Sequence, residues 1–178
     1  MENITIRPLY TSEIHPELLL PFRHDQHITQ KWVKANGTWE LTDADELRQW
    51  DAEKRKWIAE YLCEQINSGG GAICAFVGSQ LVGFCSVGGK LCNQYANLTM
   101  LFVDDDWKRR GIGKKLFAAA CGHAIEMGAD KLFISSIPSM ETVAFYQALG
   151  CVDAMEIIEE FVDTPYDRYM ESELTSRA

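Results

Sequence analysis

The apolar positions of this chain change their period several times, and each change marks an element. Ile4 to Leu9 reads as a first strand that ends around Pro8 and Tyr10. Residues 11–35 are mixed. They hold an apolar stretch at Leu18-Leu19-Leu20 and a polar run Arg23-His24-Asp25-Gln26-His27. Asn36-Gly37 is a tight-turn dipeptide between Trp32-Val33 and Trp39-Leu41, which predicts a small hairpin. Thr42-Asp43-Ala44-Asp45 offers a hydroxyl cap and acids for a helix start. Leu47, Trp50, Trp57, Ile58, Tyr61, Leu62 and Ile66 then follow at helical spacing, up to Ser68-Gly69-Gly70-Gly71.

Ala72–Val77 and Leu81–Val87 read as a hairpin around Gly78-Ser79-Gln80, and Tyr95–Val103 as a central strand. From Gly111 the period lengthens. Ile112, Leu116, Phe117, Ala120 and Ala124 share one helical face that closes at Gly128. A strand at 131–137, a short helix at 142–149, a strand at 151–158 and a last strand at 168–174 complete the order. This succession predicts an α/β chain with a mixed sheet and helices packed on its faces. The 178 residues suit a single domain spanning 1–178.

Composition narrows the partners. The net charge is −9. An acidic chain binds nucleic acid poorly, because phosphate contacts need clustered Lys and Arg. No apolar run is long enough for a bilayer, so no membrane partner is expected. The start Met1-Glu2-Asn3-Ile4 is no basic-then-apolar leader, and a cytoplasmic location is expected. The six cysteines make no C-x-x-C pair and lack metal spacing; they read as buried thiols, with no metal site.

Against that acidic background one turn stands out. Residues 108–115 read Lys-Arg-Arg-Gly-Ile-Gly-Lys-Lys, five of eight side chains basic, between a strand and a helix. A helix start carries unpaired N–H groups and a partial positive charge. Glycines admit a ligand close to the backbone. Together they form a cradle for a pyrophosphate. The turn is not a P-loop. It also lacks the third glycine of a dinucleotide fingerprint, since that position is Leu116.

Leu101-Phe102-Val103 followed by Lys108-Arg109-Arg110-Gly111-Ile112-Gly113 resembles the strand and the [QR]-x-x-G-x-[GA] turn of the GNAT (GCN5-related N-acetyltransferase) superfamily. Ser139 to Cys151 is similar to that family's N-x-x-A-x-x-F-Y-x-x-x-G-F segment; Phe145, Tyr146 and Gly150 are kept, while Ser139 replaces Asn and Cys151 replaces Phe. The likeness is closest to an uncharacterised bacterial-type branch and covers residues 72–158, with element order matching along the whole chain.

The resemblance implies a GNAT fold: a mostly antiparallel sheet with one parallel pair splayed at the cofactor site. It implies a cofactor core at 72–158 and a variable acceptor-side part at 11–68. Acetyl-CoA is the implied co-substrate. Its pantetheine arm would lie along Leu101, Phe102 and Val103. Its pyrophosphate would sit on Arg109, Arg110, Gly111, Ile112, Gly113 and Lys114, with Lys108 in place of the usual Gln or Arg and Ser139 also on the cofactor side. Tyr146 would protonate the leaving thiolate. A backbone N–H of the strand ending at Val103 would meet the oxyanion, freed by a bulge.

The expected reaction is direct transfer of acetyl to a primary amine of a small molecule or peptide. Amines near pKa ~10.4 are charged at neutral pH, so a base is needed. Asn97-Leu98-Thr99-Met100-Leu101 holds no carboxylate. Glu46, His24 and His27 are the candidates from elsewhere. Arg23, His24, His27, Trp32 and Trp39, with Glu46, form the candidate acceptor site. Homodimerisation is left open. Two other readings compete. One is a non-catalytic acyl-CoA-binding module. The other is a nucleotide-cofactor oxidoreductase, for which Asp130 lies near the ribose-acid offset.

Overall fold

The computed structural model describes residues 2–174. Nine strands and three α-helices follow one another as β1 (Ile4–Pro8), β2 (Asp25–Ala35), β3 (Thr38–Gln49), α1 (Ala52–Asn67), β4 (Gly71–Val77), β5 (Gln80–Val87), β6 (Tyr95–Val103), α2 (Ile112–Glu126), β7 (Lys131–Ser136), α3 (Met140–Ala148), β8 (Val152–Asp153) and β9 (Arg168–Glu173). Seven strands form one sheet in the order β1-β4-β5-β6-β7-β9-β8, and β2 pairs with β3 in a separate ribbon. Only β6 and β7 run parallel in the large sheet; its other pairs are antiparallel.

The sheet is covered on both faces, and β4 shows why. Ile73 and Ala75 join one apolar cluster with Ile112, Leu116, Ala120 and Val143 of α2 and α3, while Ala72, Cys74 and Phe76 join another with Ile58 and Leu62 of α1. Strand side chains alternate between faces, so a strand covered on both reads as a continuous apolar run.

Two expected elements differ. The residues read as a helix start, Thr42-Asp43-Ala44-Asp45, lie inside β3, whose burial alternates over Thr42–Glu46. Leu47, assigned to a buried helix face, is 62 % exposed. The helix begins at Ala52, where the Asp51 carboxylate accepts from the Lys54 N–H at 2.7 Å. Local cap chemistry at Thr42 loses because Asn36 (φ 52) and Gly37 (φ 78) close a two-residue turn that pairs β3 with β2 along its length. The strand expected at 151–158 shrinks to Val152–Asp153. Beyond it the chain leaves the sheet. Ile158 and Phe161 pack on Phe133 and Tyr95 instead.

The ribbon is anchored where it meets the body. The Trp32 N–H donates to the Pro138 carbonyl at 2.7 Å. The Arg168 guanidinium lies 5.0 Å from the Trp32 ring and 4.9 Å from the Trp39 ring, and it holds Asp153 through two hydrogen bonds.

Candidate active site

The parallel pair generates the site. β6 and β7 are paired from Tyr95↔Lys131 to Leu98↔Ile134 and part beyond that point. On the other side of β6 the register with β5 jumps from Ser86↔Met100 to Val87↔Leu98, which makes Thr99 the extra residue of a bulge. A bulge bends its strand, and this one sits where the two parallel strands separate. The gap continues into a cleft of about 700 Å³ that runs from Thr99 and Ser135 to the turn at 108–114.

At one end of the cleft lies the basic turn. Arg109 (φ 63) and Gly111 (φ 79) are both left-handed, one residue apart. Such curls point successive N–H groups to one side and form an anion-binding hollow. Gly111 is the N-cap of α2 and supplies no side chain, and the first turn of α2 carries no acid. It carries Lys114 and Lys115 instead, cations placed at the positive end of the helix dipole, where they are unfavourable without an anion. The two glycines differ in role. A Cβ at Gly111 would meet nothing within 4 Å, whereas one at Gly113 would stand 3.0 Å from the Phe145 ring. Gly111 serves the turn and Gly113 serves the packing of α2 on α3.

The basic side chains are not equivalent. Lys108 Nζ lies 2.6 Å from the Asp105 carboxylate. Arg110 stacks on Trp107 at 4.4 Å and reaches Glu2 at 3.6 Å. Arg109 and Lys114 line the cleft and are exposed. Leu101, Phe102, Val103, Ile112 and Gly113 line the cleft as well. Ser139 does not. It is buried, its hydroxyl caps α3 by accepting from Thr142 N–H at 3.1 Å, and it receives a hydrogen bond from Gln26 Nε2 at 3.3 Å.

Tyr146 lines the middle of the cleft, its ring against Phe117 and Phe145. Burial pushes its phenol well above the ordinary value, so it carries its proton throughout the physiological range.

The structure divides the six acceptor-side candidates. His24 lines the cleft, wedged between Trp50 at 4.4 Å and Phe102 at 5.1 Å. Burial, and then the Lys108 charge, lower its pKa and keep the ring neutral. Arg23 is exposed and turns to Asp106 at 3.2 Å. The other four lie on the ribbon, outside the cleft. His27 Nε2 meets Asp45 at 2.7 Å. Trp32 and Trp39 flank Arg168. Glu46 pairs with Lys31 at 2.6 Å, and that hydrogen bond holds its carboxyl below the usual range, the opposite of what a base needs.

Sequence reasoning passed over Gln26, Ser135, Glu141, Thr142 and Asp163, which also line the cleft. Asp163 was hidden because its segment follows a region read as strand. The turn-rich run Asp163-Thr164-Pro165-Tyr166-Asp167 was the signal available for a loop there.

A parallel pair that parts at a bulge, above a glycine-capped helix start, frames the cleft. Residues 26–151 match the sequence model of the acetyltransferase (GNAT) family, and the chain belongs to that family. No protein of curated function matches it in sequence. Among solved structures it is similar to a nourseothricin acetyltransferase, with TM-score 0.71 and 16 % identity over 96 % of this chain and 98 % of that one. It is also similar to the PaiA N-acetyltransferase of Thermoplasma acidophilum in complex with coenzyme A, with TM-score 0.60 and 19 % identity over 96 % and 99 %. A third is an aminoglycoside 6'-N-acetyltransferase complexed with coenzyme A, with TM-score 0.55 and 17 % identity over 68 % and 81 %.

Proposed function

We propose that this chain is an acetyl-CoA-dependent N-acetyltransferase whose acceptor is a primary amine of a small molecule or peptide. The observation that carries the reading is the continuity of one cleft. It joins the left-handed turn at Arg109–Gly111 to the gap opened after Leu98 and Ile134. An elongated donor with a phosphate-bearing middle and a narrow acyl arm fits such a channel. Several features agree with that donor: cations without acids in the first turn of α2, the uncapped Gly111, and the apolar wall of Leu101 and Val103.

The thioester supplies an electrophilic carbonyl and a thiolate leaving group. The chain supplies the rest. N–H groups at 109–114 hold the pyrophosphate, and the backbone of Leu101–Val103 aligns the arm. The bulge at Thr99 frees main-chain donors where negative charge develops on oxygen. Tyr146, kept protonated by its burial, gives a hydrogen bond to the departing sulfur and passes a proton to it only as it takes one in return. A net charge of −9 suits an acceptor that arrives as a cation.

Calorimetry with acetyl-CoA, followed by release of free thiol in the presence of an amine panel, tests the reading. Binding together with amine-dependent thiol release is expected. Absence of binding overturns the donor assignment, and binding without turnover favours a non-catalytic acyl-CoA module.

A further inference from the structure

The donor reading leaves the acceptor's proton without a destination, and two of the three bases expected from sequence lie outside the cleft. The third, His24, packs against Phe102, three residues beyond the bulge at Thr99. At about 3.3 Å per strand residue that is roughly 10 Å towards the phosphate turn. Only two carboxylates line the cleft among the described residues, Glu141 and Asp163. Glu141 stands in the first turn of α3, whose positive end favours its charged form. Asp163 stands elsewhere, on the loop between β8 and β9, beside Ser135 at the end of β7.

Its placement is built rather than incidental. The Asp163 N–H donates to Ser135 Oγ at 3.1 Å, and Ser135 Oγ donates to Asp167 Oδ2 at 2.7 Å. Thr164 Oγ1 donates to Asp167 Oδ1 at 2.9 Å. Asp167 thus spends both oxygens on holding the loop. Asp163 has its backbone fixed and no ion pair to its carboxylate among the described residues. The Tyr61 phenol of α1 lies near the Thr99 hydroxyl and feels the charge of Asp163. Thr99, Ser135 and Asp163 line the cleft where β6 and β7 part. That point lies opposite the phosphate turn along the cleft.

We infer that Asp163 is the catalytic carboxylate that docks the acceptor's ammonium and takes its proton. This rests on the transferase reading above and adds the acceptor half of the site. The substrate class is a primary amine that arrives as a cation. One proton passes from the ammonium to the Asp163 carboxylate and on to water. The freed nitrogen pair forms the C–N bond to the thioester carbon. The C–S bond breaks, and sulfur takes its electron pair. The second nitrogen proton is taken up by Tyr146 as Tyr146 gives its own to the sulfur, so an amide and a thiol result and the tyrosine is restored. The charge acting on Asp163 is that of Asp167 on the same loop, and the Tyr61 phenol of α1 is within its electrostatic reach. Asp163 is exposed overall; partial loss of solvent at the cleft, and then the Asp167 charge, raise its pKa, which strengthens it as a base at the cost of protonation on mild acidification.

The test compares wild type, Asp163→Asn and Asp163→Glu, using acetyl-CoA with spermidine, kanamycin and n-butylamine as probe amines. Calorimetry with acetyl-CoA alone reports the donor half and confirms folding. The expected result is acetyl-CoA affinity unchanged in all three proteins and kcat/KM lowered about 100-fold in Asp163→Asn, the range of a lost general base. Asp163→Glu recovers part of the rate, and the acidic limb of the wild-type pH profile is absent in Asp163→Asn. Unchanged kcat/KM and pH profile in Asp163→Asn overturn the assignment while leaving the donor reading intact. A wild type that binds acetyl-CoA and acetylates none of the three amines also overturns it. A wild type without affinity for acetyl-CoA overturns both readings together.

Discussion

Single residues carry opposite consequences according to what surrounds them. Tyr146 and Tyr61 are both helix tyrosines, yet only Tyr146 lines the cleft and is enclosed by the apolar cluster of α2 and α3. Burial holds its phenol above the ordinary value of ~10, so in the proposed reaction it serves as a hydrogen-bond donor. Tyr146→Phe is expected to lower kcat at least ~10-fold and to leave the calorimetric affinity for acetyl-CoA unchanged. The wild-type rate should show no fall near pH 10 from tyrosine ionisation, read from kcat between pH 8 and 10.5. Glu46 makes the converse point. As an isolated acid in a candidate pocket it looked like a base, but Lys31 stands across the ribbon and stabilises its charge. Nothing within a few residues of Glu46 in sequence announces that partner.

Elements were legible where their signal was local. The strand-turn-helix from Tyr95 to Gly128 follows from an apolar run, two glycines and a helical stripe, all within 34 consecutive positions. The start of α1 falls ten residues beyond Thr42, because the cap chemistry read at Thr42 lies in a strand and the cap that forms is Asp51. The pairing of β3 with β2 decided between them, and strand pairing is a contact that cap chemistry cannot see. Removing the true cap tests this: Asp51→Ala should destabilise the fold by about 1 kcal/mol in urea unfolding. Thr42→Ala, a ribbon substitution, should show no helix-capping loss in the same measurement. β8 was overextended for a related reason. Val152, Met155 and Ile157 are apolar but exposed, so their pattern mimics a strand that the sheet never completes.

Across the whole molecule, charge is segregated. A net −9 chain gathers Lys108, Arg109, Arg110, Lys114 and Lys115 at one end of one cleft. Two of these side chains already face acids, Asp105 and Glu2. Binding of acetyl-CoA should therefore weaken as sodium chloride rises from 50 to 500 mM (about a tenfold change in salt), with the slope reduced in Lys114→Gln, as titration calorimetry would show. A second long-range assembly sets acid stability. Glu171 is buried, which by itself would raise its pKa, but hydrogen bonds from Lys131, the Met155 N–H and Tyr95 bring it below the usual value. A carboxyl depressed in the folded state contributes stability above its unfolded pKa of about 4.3 and loses it as pH falls through the folded value. Melting temperature should drop between pH 5 and 3, and Glu171→Gln should flatten that drop while lowering the melting temperature at pH 7.

The amino-acid sequence alone determined the phosphate turn, the sheet strands around it and the motif tyrosine, because glycine conformation, alternation and helical period are short-range properties. The tertiary structure decided the rest. Long-range strand pairing parts β6 from β7 after Leu98 and Ile134, folds Asp163 back beside Ser135 across 28 positions of chain, and carries His27, Trp32, Trp39 and Glu46 away on the ribbon. Side chains that meet only through strand pairing leave no mark in the spacing of either segment, so the proposed donor end shows in the residues while the proposed acceptor end needs the fold.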